Sequence, residues 1–148
     1  MFDLGETLLT PDRRPVLLPD VSGSRGLMVV GVGRGAERGF QMVYRFHDAG
    51  TQLASNGVNL VFVYPKESAR HVLDPMSVAC VQFQRHPQLL LDAEGRFFGR
   101  VQPVRSLTAA HLNGAMATLG VVTIDMLDRS WENEFRMFLS MSQIGTSY

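Results

Sequence analysis

The sequence predicts an α/β fold with a mixed central sheet, and three observations carry that prediction. Leu27-Met-Val-Val-Gly-Val32 is a short apolar run of the kind a strand buried on both faces needs. Val58-Asn-Leu-Val-Phe-Val-Tyr64 is rich in β-branched and aromatic residues, the clearest strand in the chain. Between them a glycine-rich turn, Gly33-Arg-Gly-Ala-Glu-Arg-Gly-Phe40, leads into a segment where Phe40, Val43, Tyr44 and His47 recur at helical spacing. A strand, a tight turn and a helix make half of a βαβ unit.

The other elements follow in order. Thr7-Leu-Leu-Thr10 and Pro15-Val-Leu-Leu18 flank Pro11-Asp-Arg-Arg14, and proline followed by aspartate between two apolar pieces signals a β-hairpin. Residues 19–26 read as a loop. The central helix is expected from about Ala36 to Ser55, stopped by Asn56-Gly57, with Gly50 as the point where it kinks or divides. Pro65 closes the second strand and opens a short helix from Lys66 to Leu73. Residues 76–85 read as irregular. His86-Pro-Gln-Leu-Leu-Leu-Asp-Ala-Glu-Gly95 then gives a strand and a hairpin turn, and Arg96-Phe-Phe-Gly-Arg-Val101 the returning strand. Ser106 or Thr108 can cap a further helix, with Leu112, Ala115, Met116 and Leu119 on one face and His111 at its edge. The order ββ, βα, βα, ββα gives a mixed sheet covered on both faces.

Residues 1–120 are read as the domain and 121–148 as an extension. In that extension Val121-Val-Thr-Ile124 is an apolar link, followed by a helix from about Asp125 to Gln143. Leu127, Trp131, Phe135, Phe138 and Leu139 form one stripe on it, with Glu132, Asn133 and Arg136 away from the stripe. Each large side chain of the stripe contributes about 1.5–3 kcal/mol if it finds a surface to lie on.

Composition narrows the function classes. A chain of 148 residues is one domain long, and a formal net charge of +0, from 14 Lys+Arg and 14 Asp+Glu, supplies no field to recruit nucleic acid or an anionic membrane. One cysteine permits no intramolecular disulfide, and with four scattered histidines it makes no Cys-rich zinc site. Neither a cofactor nor a metal is expected. No apolar run approaches the roughly 18 residues of a membrane helix, and Met1-Phe-Asp-Leu-Gly-Glu6 lacks a basic region followed by an apolar core, so a cytoplasmic protein is expected.

The element order resembles the thioredoxin-like superfamily, and the opening hairpin its peroxiredoxin and thiol-disulfide-oxidoreductase branch. The matching residues are Leu8-Leu-Thr-Pro-Asp12 through Leu18-Pro-Asp20 and Gly26, the strand from Met28 to Val32, Pro87-Gln-Leu-Leu-Leu-Asp-Ala-Glu-Gly95, and the stretch from Val101 to Leu112. The resemblance implies a thioredoxin-like three-layer fold with an extra C-terminal helix, and a cis peptide at His86-Pro87 facing the redox turn. It also marks a departure. Where the family carries Cys-x-x-Cys or a single peroxide-reducing cysteine, this chain has residues 33–40, with glycine in the reactive position. Thiolate chemistry needs sulfur at the helix N-terminus, where the dipole and nearby cations lower its pKa. No reductase or peroxidase activity is expected from this turn.

Other candidate residues have plainer readings. Cys80, the single thiol, is the alternative catalytic residue, but Ser77-Val-Ala-Cys-Val-Gln-Phe83 is an apolar setting without local cations, and a buried inert thiol is preferred. Gly31-Val-Gly-Arg-Gly-Ala36 fits G-x-G-x-x-A after a strand, yet the next strand ends Val63-Tyr-Pro65 where the ribose-binding acid should stand. Arg34 and Arg38 flank the turn as solvated arginines or an anion site. His47, His71 and His111 pair with no carboxylate or second histidine by spacing, and Asp92, Glu94 and Gly95 make a turn. The leading reading is a redox-inactive protein-protein interaction module, an assembly chaperone or accessory subunit, and not an enzyme. Its partner surface is expected at Arg34, Arg38, Phe40, His86 and Pro87 with Trp131, Phe135 and Phe138; the stripe on the C-terminal helix is read first as packing on its own core, with homo-oligomerisation through that helix as the alternative.

Overall fold

The computed structural model describes residues 2–35, 39–73, 89–99 and 104–146, with backbone alone for 39, 40, 71 and 143–146. The apolar run after Arg25 forms β3 (Gly26–Val32), buried along its whole length. Two parallel strands, β4 (Val58–Pro65) and β5 (Leu89–Asp92), continue the sheet on one side: Val30 stands opposite Phe62, and Phe62 opposite Leu89. The predicted hairpin, β1 (Leu8–Leu9) with β2 (Pro15–Val16), pairs antiparallel beyond β5 through Leu9 and Leu91. Its turn is held by Thr10, which hydrogen-bonds the Asp12 carboxylate and accepts the Arg14 N–H at 2.9 Å.

The helix predicted over residues 106–119 is instead a β-hairpin, β6 (Ser106–Asn113) and β7 (Thr118–Asp125), and β6 pairs antiparallel with β3. Leu107, Ala109, Ala110, His111 and Leu112 are all buried, so burial on both faces erases the alternation that marks a strand. Asn113 makes the turn by accepting the N–H groups of Ala115 and Ala117 on its side chain at 2.9 and 3.0 Å. Among the described residues seven strands run β2-β1-β5-β4-β3-β6-β7. Val121 to Ile124, expected as a link, belong to β7, and the expected domain boundary after Gly120 falls inside that strand.

The central helix is divided, though at Phe46 and not at Gly50. It forms α2 (Gly39–Arg45) and α3 (His47–Ser55), and Gly50 is a buried member of α3. Phe46 (φ −110°, ψ 21°) turns inward, its ring centroid 4.8 Å from that of Phe135. Asn56 and Gly57 end α3 as expected, Gly57 at φ +83°. Part of the expected loop after the hairpin is a helical turn, α1 (Leu18–Val21), whose Asp20 carboxylate accepts the Leu17 N–H at 3.0 Å. After Pro65 a 3₁₀ turn (Lys66–Ser68) and α4 (Arg70–Leu73) occupy the predicted short helix.

Residues 96–99 make no returning strand. Asp92, fully buried at the end of β5, accepts the N–H groups of Phe97 and Phe98, both at 3.2 Å, and so turns the chain inward. The last helix, α5 (Trp131–Thr146), begins later than predicted because Asp125 and Asp128 cap turns before it: Asp125 accepts from Leu127 N–H at 2.9 Å and Asp128 from Ser130 N–H at 3.0 Å. Leu127 therefore leaves the predicted stripe and stands 66% exposed.

Two cores sandwich the sheet. On one face α2, α3, α4 and α5 bury Met42, Phe46, Leu53, Val72, Phe135 and Leu139 against Met28, Val30 and Phe62. On the other, α1 and the amino-terminal segment cover Leu27, Val29, Val61 and Val63 with Leu18, Val21 and Phe97, and Phe2 and Phe98 pack at the border. Gly26 permits the close β3–β6 pairing: at φ +143° any Cβ would overlap the Leu112 carbonyl oxygen.

Candidate functional site

The turn after β3 is fastened to the chain entering β6. The Gly33 N–H donates to the Ser106 carbonyl at 2.7 Å, Arg34 bridges Val104 in parallel, and the Arg105 N–H donates to the Arg34 carbonyl at 2.7 Å. Gly35 takes φ +77° and Arg105 φ +49°, two left-handed residues side by side that let the strands close tightly. The result is an exposed corner carrying the side chains of Arg34, Val104 and Arg105 at the sheet end from which α2 departs. Arg34 stands where the sequence placed it. Arg105 was not anticipated: it lies 71 positions along the chain from Arg34, and only the strand pairing brings the two together. Cys80, His86 and Pro87, with the expected cis peptide, lie outside the described residues, as does Arg38; Phe40 is described by backbone alone, in α2.

The glycine motif has a packing explanation. Gly31 is a residue of β3, opposite Val63 and Thr108, and not part of the turn. A Cβ there would lie 2.6 Å from Phe2 Cζ and 2.8 Å from Phe98 Cε1, so the bare backbone is a seat for two rings. A phosphate-binding fingerprint needs that glycine in the turn itself.

The aromatic residues of α5 face their own domain. Phe135 is fully buried, with ring centroids 4.8 Å from Phe46 and 6.5 Å from Phe62, and is a core residue. Trp131 is half-buried with its edge toward Phe46 at 6.0 Å, and Arg45 lies over it at 5.5 Å; Phe138 packs against the same core. Arg136, expected to point away, spans the junction between α2 and α3. It donates to the Arg45 carbonyl at 2.8 Å, pairs with Glu132 at 3.0 Å and Asp48 at 3.3 Å, and stacks over Phe46 at 4.8 Å. Hydrogen bonds from Arg45 and then Arg136 hold the Glu132 carboxyl below its ordinary value. Among its described apolar side chains α5 leaves Met137 and Met141 in solvent, each 64% exposed; on β7, Leu119 (57%) and Val121 (43%) are exposed as well.

Of the histidines, His47 is exposed and the His71 side chain is not described. His111, expected at a helix edge, is 5% exposed in β6 between Met28 and Gly120, and its Nε2 has no hydrogen-bond partner among the described residues. Burial pushes its pKa down. The unfolded chain then binds a proton that the folded chain refuses, so stability is full above about pH 6.5 and falls as the pH drops through the folded value. His111→Phe is expected to flatten the fall in thermal midpoint between neutral and mildly acidic pH, measured by circular dichroism. An unchanged slope would mean that other groups set the acid sensitivity. Among the described residues no three His, Cys, Asp or Glu side chains group as metal ligands.

No protein-family model and no curated protein matches this sequence. Solved structures are similar in fold. Xanthomonas campestris peroxiredoxin Q aligns at TM-score 0.67 and 11% identity, over 99% of this chain and 97% of that one. Peroxidoxin BcpB from Mycobacterium tuberculosis aligns at TM-score 0.58 and 16% identity, covering 95% and 96%. A thiol:disulfide interchange protein of the thioredoxin family from Chlorobium tepidum aligns at TM-score 0.57 and 13% identity, covering 97% and 96%. The chain has the thioredoxin-like α/β fold, with a mixed sheet of seven described strands and a C-terminal helix.

Proposed function

We propose that the chain is a redox-inactive thioredoxin-like protein that works as a cytoplasmic protein-protein interaction module, an assembly chaperone or the accessory subunit of a complex. One observation carries the reading: on this fold the turn after β3, residues 33–40, holds glycines and arginines and no sulfur. Without a thiol at the start of α2 the helix dipole has no nucleophile to activate. The same corner offers exposed Arg34 and Arg105 to an acidic group on an extended partner segment. Phe135 drops out of the partner surface because it is buried, and Met137 and Met141 are exposed apolar side chains that α5 can offer. Insulin-reduction and peroxide-consumption assays are expected to show no activity. Turnover that vanishes in Cys80→Ser would overturn the proposal.

A second reading, a one-cysteine peroxidase or thiol oxidoreductase using Cys80, draws support from two of the fold relatives, a peroxiredoxin and a peroxidoxin. It requires an activated thiol. A titrated Cys80 pKa at or above about 8.5 would dispose of it.

A further inference from the structure

We propose that His111 is an acid-operated catch on the second half of α5: when the imidazole takes up a proton, the helix from Phe138 onward lifts off the sheet while its first half stays docked. The imidazole belongs to the helix-covered face. Residues directly opposite in an antiparallel pair share a face, and His111 stands opposite Met28 of the first core on one side and Gly120 on the other. Gly120 is where α5 comes down onto the sheet, with Phe138 Cε1 3.9 Å from the place a Cβ there would take. Leu139 and, one turn past Phe138, Ser142 are buried, the Ser142 hydroxyl already donated to the Phe138 carbonyl at 2.9 Å. His111 therefore lies beneath the second half of the helix, where its Nε2 meets no donor or acceptor among the described residues.

A neutral imidazole tolerates that place; an imidazolium needs a partner or water. No charge stands ready to receive it. β3 has no ionisable side chain, and from Ser106 to Ile124 His111 is the single one. Asp125 lies at the far end of β7, opposite Ser106. The charged residues of α5, Glu132, Glu134 and Arg136, are all in its first half, and none stands between Met137 and Thr146. On α3, beside it, His47 and Asp48 are at the start, with Asp48 paired to Arg136.

The two halves of α5 are held differently. The first is pinned by the buried Phe135 ring and by Arg136, bonded to the Arg45 carbonyl and to Asp48. Among the described side chains from Phe138 onward, none makes a hydrogen bond or ion pair outside the helix, so apolar contact alone holds the second half. Burial pushes the His111 pKa down, and in the lifted state it returns toward about 6.5. Below that value each pH unit makes the lifted state up to about tenfold more frequent, until the covered imidazole itself titrates. Leu139 and the covered side of Phe138 then become available, a control on the apolar surface of α5 that neutral solution keeps shut.

Hydrogen exchange of the full chain, read by mass spectrometry and corrected for the intrinsic pH dependence of exchange, tests this. Residues 137–142 are expected to open more readily than β3 at every pH, and up to about tenfold more often per pH unit below about 6.5. His111→Phe, shown to be folded by circular dichroism, is expected to lose that slope, and His111→Leu serves if the larger ring disturbs packing. Exchange of residues 137–142 only together with β3, or one slope common to wild type and variant, overturns the proposal. Histidine-ring NMR of the wild type needs no variant: His111 is expected to titrate below about 6.5, and a value at or above it overturns the proposal equally. None of these outcomes bears on the turn after β3, whose partner reading stands or falls separately.

Discussion

Phe135→Ala is expected to destabilise the chain by about 3–5 kcal/mol, the ordinary cost of removing a fully buried aromatic ring and leaving a cavity. The ring lies at the meeting point of Phe46, from the helix junction, and Phe62, from the parallel strand β4, so no single neighbour can move to fill the space. Urea denaturation followed by tryptophan fluorescence reports the loss directly, because Trp131 sits one turn away against the same Phe46. A loss below about 1 kcal/mol would mean that α5 lies loosely on its sheet and that the large side chains of its stripe are not part of the core. The same substitution separates an appended helix from an integral one: a single cooperative transition moved to lower urea is the signature of the latter.

Asp92→Ala is the second large effect, expected at about 2–4 kcal/mol because it strands two N–H donors, of Phe97 and Phe98, that the carboxylate now satisfies. The consequence reaches further than the turn. Phe97 stacks on Phe2 with centroids 4.6 Å apart, and its carbonyl accepts the Asp3 N–H at 2.9 Å, so loosening residues 97 and 98 also releases the amino-terminal segment from Gly31. Limited proteolysis should show early cleavage within the first residues of Asp92→Ala. Asp92→Asn retains an acceptor and should fall between the two. Equal stability of all three proteins would show that the carboxylate is dispensable to the turn.

The parts of the fold legible in the sequence are those whose signals are local. Pro11-Asp12 between two apolar pairs marks the hairpin, the apolar runs of β3 and β4 mark the parallel centre, and Asn56-Gly57 marks the end of α3. The β6–β7 hairpin was hidden because Leu112, Ala115, Met116 and Leu119 happen to recur at helical spacing, while burial of β6 on both faces removed the alternation. The overlooked signal was Asn113-Gly114, a turn pair like the Asn56-Gly57 that ends α3; here Asn113 caps the loop with its side chain and Met116 takes the positive φ. The Phe46 break and the inward turn at Phe97 were invisible for a different reason. Both are fixed by partners far along the chain, Phe135 and Phe2, and no window of neighbouring residues contains the cause. At the candidate site the missing sulfur and Arg34 could be read directly, whereas Arg105 required the strand pairing.

Arg136 carries a final consequence. Its guanidinium closes the carbonyl of Arg45 and grips Asp48, residues made 91 and 88 positions earlier. As the polypeptide leaves the ribosome amino end first, the α2–α3 junction is complete while the arginine that seals it has yet to be translated. Nascent chains halted before α5 should therefore stay open to chaperones and proteases, and the α2–α3 junction is sealed only once α5 has been made.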